Sequence, residues 1–171
     1  RLQMRSLSGA KFPDLPADKI PVKMDTDEGS VDCEVWPGVA PMAAAEFLGL
    51  ATGARAWWHP CEHRWVTASP YYDRLRFIDI RPAEKLSAGC LYEGCEAAAG
   101  FERTLADSGA PFDRPGLLLA PRAGPAGEFA VLDCQWVPGE PSRPLEGTCR
   151  LSANLPALQR DWVAFGTCEH E

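Results

Sequence analysis

A chain of 171 residues, 46% apolar and 24% charged, has the composition of a globular protein and the length for one domain with a buried core. Its formal charge of −7 and the lack of any Lys/Arg run argue against nucleic acid as a partner. The longest apolar stretch, residues 39–54, is broken by Pro41 and Glu46 and falls short of the roughly 18 residues of a membrane span, so none is expected.

The chain begins at Arg1 rather than Met, which reads as a mature product after signal removal or as a trimmed chain. Its seven cysteines (33, 61, 90, 95, 134, 149 and 168) lack CxxC spacing, which disfavours a zinc ribbon or a thioredoxin-type pair. They read as disulfides formed in an oxidising compartment, hence an exported protein, periplasmic or extracellular. Six could pair in 15 ways and leave one over. Buried thiols are the alternative.

Residues 1–20 carry Gly9, Pro13 and Pro16 without periodicity and read as an extended arm before a domain at 21–171. Pro21 to Asp25 suggests a strand, and "DTDEGS" a turn with Gly29 available for positive φ. From Ser30 to Trp36, Val31, Cys33 and Val35 alternate with Asp32, Glu34 and Trp36, the pattern of a half-buried strand. "APMAAAEFLGLATG" predicts a helix, with Pro41 in its first turn, Ala43, Phe47 and Leu50 on one face, and Gly53 at its C-terminal stop.

An insertion loop at 54–70 then carries "AWWHPCEHRW". His59, Cys61 and His63 alternate there, so they could face one way and bind a borderline or soft cation, with Cys168 or His170 as further ligands. Surface histidines beside a disulfide are the competing reading. "YYDRLRFIDI" has strand composition, and residues 89–115 read as a long ordered loop. "GLLLA" (116–120), "EFAVLDCQW" (128–136) and "DWVAFGTC" (161–168) read as strands, with the loop "VPGEPSRPLEG" before the last. Many short strands and one helix predict a mainly β protein built as a closed antiparallel barrel.

The order of these pieces resembles the cyclophilin-type peptidyl-prolyl isomerases from about Lys23 to Gly166. "GSVDCEVWPGVAPMAAAEFLGLATG" is similar to the family's opening hairpin and first helix, "PYYDRLRFIDI" to its tyrosine-aspartate strand, "FDRPGLLLAPRAGP" to its Pro-Gly-x-Leu run, and "WVAFG" to its closing strand. The stretch from Ala51 to Asp73 resembles an insertion found in bacterial and secreted members. The resemblance implies an eight-stranded barrel capped by helices, with a second helix and a final strand beyond "WVAFG"; this chain is therefore expected to be shortened at its C-terminal part. The arm, or a partner chain, could then cover the open barrel edge.

The resemblance also implies prolyl isomerisation, which needs an apolar pocket for the proline ring and a donor, normally Arg, aimed at the prolyl nitrogen. In "FIDIRPAEKLSAG", Asp79 stands at the arginine position, Glu84 and Lys85 replace the pocket aromatic and methionine, and Ser87 replaces a glutamine. Glu128 replaces a glutamine, Ala130 an inner phenylalanine and Arg122 an asparagine; Ala157 replaces the groove tryptophan and Trp162 a histidine. Phe129 and Leu158 match the pattern. No catalytic set is expected to survive; Arg81 is the candidate replacement donor, being on Asp79's face, though an ion pair with Asp79 is the favoured role for it.

The expected function is a non-catalytic module with a degenerate isomerase site, binding a protein or Pro-containing peptide through Asp79, Arg81, Ser87, Arg122, Phe129, Leu158 and Trp162. The alternative is a weak or specialised isomerase using Arg81 or Arg122. Metal binding at His59, Cys61 and His63 is a minor alternative, and no cofactor is implied.

Overall fold

A computed structural model of the protein describes residues 3–6, 19–73, 75–89, 102–137 and 147–169. The strands are β1 (Gln3–Ser6), β2 (Ile20–Thr26), β3 (Gly29–Val35), β4 (Trp57–His59), β5 (Arg64–Val66), β6 (Phe77–Arg81) and β7 (Lys85–Ala88). They continue with β8 (Glu102–Thr104), β9 (Leu117–Pro121), β10 (Ala123–Pro125), β11 (Phe129–Leu132), β12 (Gln135–Val137), β13 (Thr148–Arg150) and β14 (Trp162–Glu169). Two helices, α1 (Pro41–Thr52) and α2 (Leu155–Asp161), complete the elements.

Eight strands form one antiparallel sheet in the order β1-β2-β3-β14-β9-β11-β7-β6. The β2–β3 hairpin turns through Asp27 and Glu28, with Gly29 at φ +135° and the Thr26 hydroxyl donating to the Gly29 carbonyl. The inner face of the sheet carries Val22, Met24, Val35, Leu118, Phe129 and Phe165, and α1 packs on it. Phe47 of α1 meets Tyr72, Phe129 and Phe165 at centroid distances of 5.3, 5.4 and 5.2 Å. The outer face buries Leu117, Leu119, Ala130, Leu132 and Ala164 beneath Leu158 of α2 and Phe112. A strand buried on both faces needs an unbroken apolar run, which explains "GLLLA".

α1 begins at Pro41 without a capping side chain of its own. The buried Asp107 carboxylate supplies the cap, accepting from the N–H groups of Met42 (3.2 Å) and Ala43 (2.8 Å). Gly53 closes the helix at φ +74°, where a Cβ would lie 2.7 Å from the Ser69 backbone.

Several expectations are corrected. The mainly β antiparallel architecture is present, but closure of the barrel is not seen: among the described residues β1 and β6 are edges with no pairing between them, and the sheet is curled. At its open end a cavity of about 690 Å³ is lined by Met24, Val31, Leu75, Phe77, Leu86 and Val131. The arm is not wholly irregular, since β1 pairs antiparallel with β2 and covers that edge. Where one helix was expected there is a second, α2, directly before the Phe-Gly strand. The strand expected over 71–80 is only Phe77–Arg81, because Tyr71 and Tyr72 turn inward and are buried. "EFAVLDCQW" splits into β11 and β12 at Asp133, whose N–H donates to the Glu84 carbonyl and whose carboxylate accepts from the Ala83 N–H.

The insertion at 54–70 is not a plain loop but the β4–β5 hairpin, anchored by Trp57, whose indole N–H donates to the Ser69 carbonyl (2.9 Å). The 89–115 stretch contains β8 and an isolated bridge between Ala110 and Ala164. Two disulfides are present among the described residues. Cys33–Cys168 joins directly opposed residues of β3 and β14 (Cα–Cα 3.9 Å), and Cys134–Cys149 spans the β12–β13 hairpin. Cys61 is exposed and has no disulfide partner among the described residues. Cys90, Cys95, His170, residues 90–101 of the long loop and most of the loop before α2 lie outside the described residues.

Candidate functional site

Antiparallel register decides which side chains meet. Asp79 of β6 lies opposite Ser87 of β7, Ser87 lies opposite Ala130 of β11, and Lys85 lies opposite both Arg81 and Leu132. Directly opposed residues project from the same face, so these groups share the outer face of the sheet. Trp162, at the start of β14, reaches the same face from the far side, where α2 delivers it.

Lys85 is the hub. It is only 5% exposed, and its Nζ donates to Ser87 Oγ at 2.6 Å and to Asp79 Oδ2 at 3.2 Å. The same ammonium lies 4.7 Å from the centroid of the Trp162 ring, a cation–π contact. A buried ammonium requires such partners, because an unpaired charge in an apolar setting is costly. Ser87 is 1% exposed and Ala130 fully buried, so no open apolar slot remains between them.

Arg81 is turned onto Asp79, with Nε 3.1 Å from Oδ2, and its Nη1 stands 3.8 Å from Glu84 Oε1. Burial acts to raise the Asp79 pKa, but hydrogen bonds and charge from Lys85 and then Arg81 outweigh it and hold the carboxyl below its usual range. At neutral pH Asp79 is therefore an ionised acceptor with no proton to donate. Glu128 has the opposite balance. Burial raises its pKa, only partly offset by Lys85 and Arg103, while Asp79 adds to the rise.

The sign of the Glu128 effect is testable. A carboxyl whose folded pKa lies above its unfolded value favours folding most at low pH, and that contribution is lost as pH rises through the folded pKa. Glu128→Gln is thus expected to raise the unfolding midpoint at neutral pH, with the gain vanishing in acid where Glu128 is already neutral. Urea unfolding of both proteins across pH checks this.

The remaining predicted groups do not all converge. Arg122 is spent elsewhere, donating to the carbonyls of Asp107 (2.8 Å) and Ser108 (3.4 Å). Phe129 projects from the inner face into the main core, 1% exposed, while its neighbour Ala130 takes the outer face. Leu158 is buried beside Trp162 in the outer cluster. Among the described residues no group of three or more His, Cys, Asp or Glu is placed to hold a metal. His59 instead accepts from the Glu62 N–H through Nδ1 (3.2 Å), and His63 takes φ +48° in the hairpin turn.

No family model matches the chain, and no curated protein matches it. Comparison with solved structures gives a cyclophilin-type peptidyl-prolyl cis-trans isomerase of Cryptosporidium parvum, at 15% identity and a TM-score of 0.58. The match covers 90% of this chain and 80% of that one. The chain has the cyclophilin fold.

Within the cyclophilin fold, the ionic cluster joins four of the positions at which the sequence resemblance led us to expect departures from the isomerase pattern: Asp79, Lys85, Ser87 and Trp162. Lys85 was legible only as a lost methionine, and its role as hub was missed. A second ionic centre was missed entirely. Glu46 of α1 and Arg103 of β8 form a buried bidentate pair, Nε–Oε2 2.8 Å and Nη2–Oε1 3.0 Å. The Gly127 N–H also donates to Glu46 Oε1, and Arg103 Nη1 donates to the Gly124 carbonyl. The only sequence signal was a carboxylate inside the apolar run "AAAEFLGL".

Proposed function

We propose that this cyclophilin-fold domain is a non-catalytic module that binds a protein partner, with its isomerase groove filled by its own side chains. The observation that carries the reading is Lys85, buried against Ser87, Asp79 and the Trp162 ring at the place where a proline pocket is required. A proline ring would have to displace an ammonium and leave it without partners. The polar groups left at the surface, Asp79, Arg81 and Glu84, suit a charged protein surface better than an apolar ring.

The competing reading, an isomerase with a relocated donor, needs a guanidinium free to reach the prolyl nitrogen. Arg81 is tied to Asp79 and Glu84, and Arg122 to two carbonyls, which favours the binding module. Export is part of the same proposal. Two disulfides support an oxidising compartment, and no helix among the described residues is long and apolar enough to cross a membrane.

Titration with an Ala-Pro-type peptide, followed by tryptophan emission in wild type and Trp162→Phe, tests the filled groove. Unchanged emission into the millimolar range is expected. A saturable change in wild type that disappears in Trp162→Phe would show that the groove admits a proline ring.

A further inference from the structure

The β6 edge, which carries Asp79 and Arg81 of the proposed binding face, deepens that reading by pointing to one partner. Ile78 and Ile80 are 43% and 60% exposed, and among the described residues β6 has a neighbour on one side only. Exposed isoleucines on an unpaired edge strand are a template for strand pairing.

The direction of the backbone can be read from two bonds. The Arg81 carbonyl accepts from the Glu84 N–H within the β6–β7 turn, so Arg81 directs its main chain toward β7. The Glu84 carbonyl accepts from the Asp133 N–H beyond β11, so Lys85, the next residue, faces back toward β6. Backbone groups alternate along a strand, so Asp79 and Arg81 bond to β7 while the N–H and C=O of Ile80 point to the open edge.

We propose that β6 pairs antiparallel with β6 of a second copy of this chain, in a two-fold register centred on Ile80. That register makes Ile80 and the other copy's Ile80 a hydrogen-bonded pair, exchanging two N–H···O bonds. It also sets Asp79 opposite the other copy's Arg81, and Arg81 opposite its Asp79, so that opposite charges meet twice on one face. No neighbouring register of the same symmetry does this: centred on Asp79, it opposes like charge to like. The segment Asp79-Ile80-Arg81 is therefore self-complementary about Ile80, and Pro82, which has no N–H to donate, ends the pairing opposite Ile78. The charge pattern is what commits the edge to a second copy over an unrelated strand.

Cysteine scanning tests both the partner and the register. A hydrogen-bonded pair has Cα atoms about 5.5 Å apart, within disulfide reach. In a Cys61→Ser background, Ile80→Cys is expected to form a cross-linked dimer of twice the 18.6 kDa chain mass under mild oxidation, and Ile78→Cys is not. Wild type is expected to show a concentration-dependent monomer–dimer equilibrium by analytical ultracentrifugation. Arg81→Glu, at an exposed position, should weaken it about tenfold because two attractive contacts become repulsive. A wild type that stays monomeric into the millimolar range overturns the proposal. Equal cross-linking at Ile78 and Ile80, or a dimer indifferent to Arg81→Glu, overturns the register.

Discussion

Glu46→Ala is expected to destabilise the protein by about 3–5 kcal/mol, the cost of breaking a buried ion pair from one side. Glu46 is 5% exposed, and its carboxylate receives three bonds, two from Arg103 and one from the Gly127 N–H. Deleting it leaves the Arg103 guanidinium buried with, among the described residues, the Gly124 carbonyl as its remaining hydrogen-bond partner, and orphans the Gly127 N–H. The pair itself need not be strongly stabilising, since desolvation offsets much of the attraction. Glu46→Leu/Arg103→Met should therefore cost less than either single change, a coupling that urea unfolding of all four proteins measures. Roughly additive losses would show that the two side chains act independently.

The second large effect concerns Cys33 and Cys168. Their bond closes a loop with a sequence separation of 135, tying the N-terminal hairpin to the last strand. Constraining so long a loop in the unfolded chain is worth about 4–5 kcal/mol on the chain-entropy scale. Cys33→Ala/Cys168→Ala should lower the denaturant midpoint by a corresponding amount, whereas removing Cys134–Cys149, with a separation of 15, should cost less, about 3 kcal/mol. The same ordering should appear on reduction. A double alanine variant as stable as wild type would contradict the role given to this cross-link.

How much of this was legible in the sequence depended on the range of the signal. Local alternation found β3, helical spacing with Pro41 and Gly53 found α1, and the unbroken run at 116–120 found β9. The β4–β5 hairpin was missed because its alternation is short and its turn, "PCEH", draws attention to chemistry instead of geometry. Helix α2 was missed because seven residues give only the Leu155–Leu158 repeat, and Pro156 reads as a loop signal when it is a first-turn residue.

Barrel closure could not be judged from pattern, because it is a pairing between distant edges. The ionic cluster was partly visible. Aligned positions exposed Asp79, Lys85, Ser87 and Trp162 as departures from the isomerase pattern, but only the register of β6, β7 and β14 shows that they satisfy one another. Glu46 and Arg103 lie 57 positions apart, and no spacing rule relates them. The fold came from local signals, while the site came from long-range pairing.

The proposed filling of the isomerase groove by the protein's own side chains predicts that no isomerisation occurs there. NMR exchange on an Ala-Pro-type peptide, comparing wild type, Arg81→Ala and a buffer blank, tests it most directly. Under the proposed reading, in which the ionised Asp79 takes the donor position and Lys85 the pocket, exchange should equal the blank in both proteins. Exchange above the blank in wild type that collapses in Arg81→Ala would contradict the account and establish a relocated catalytic donor.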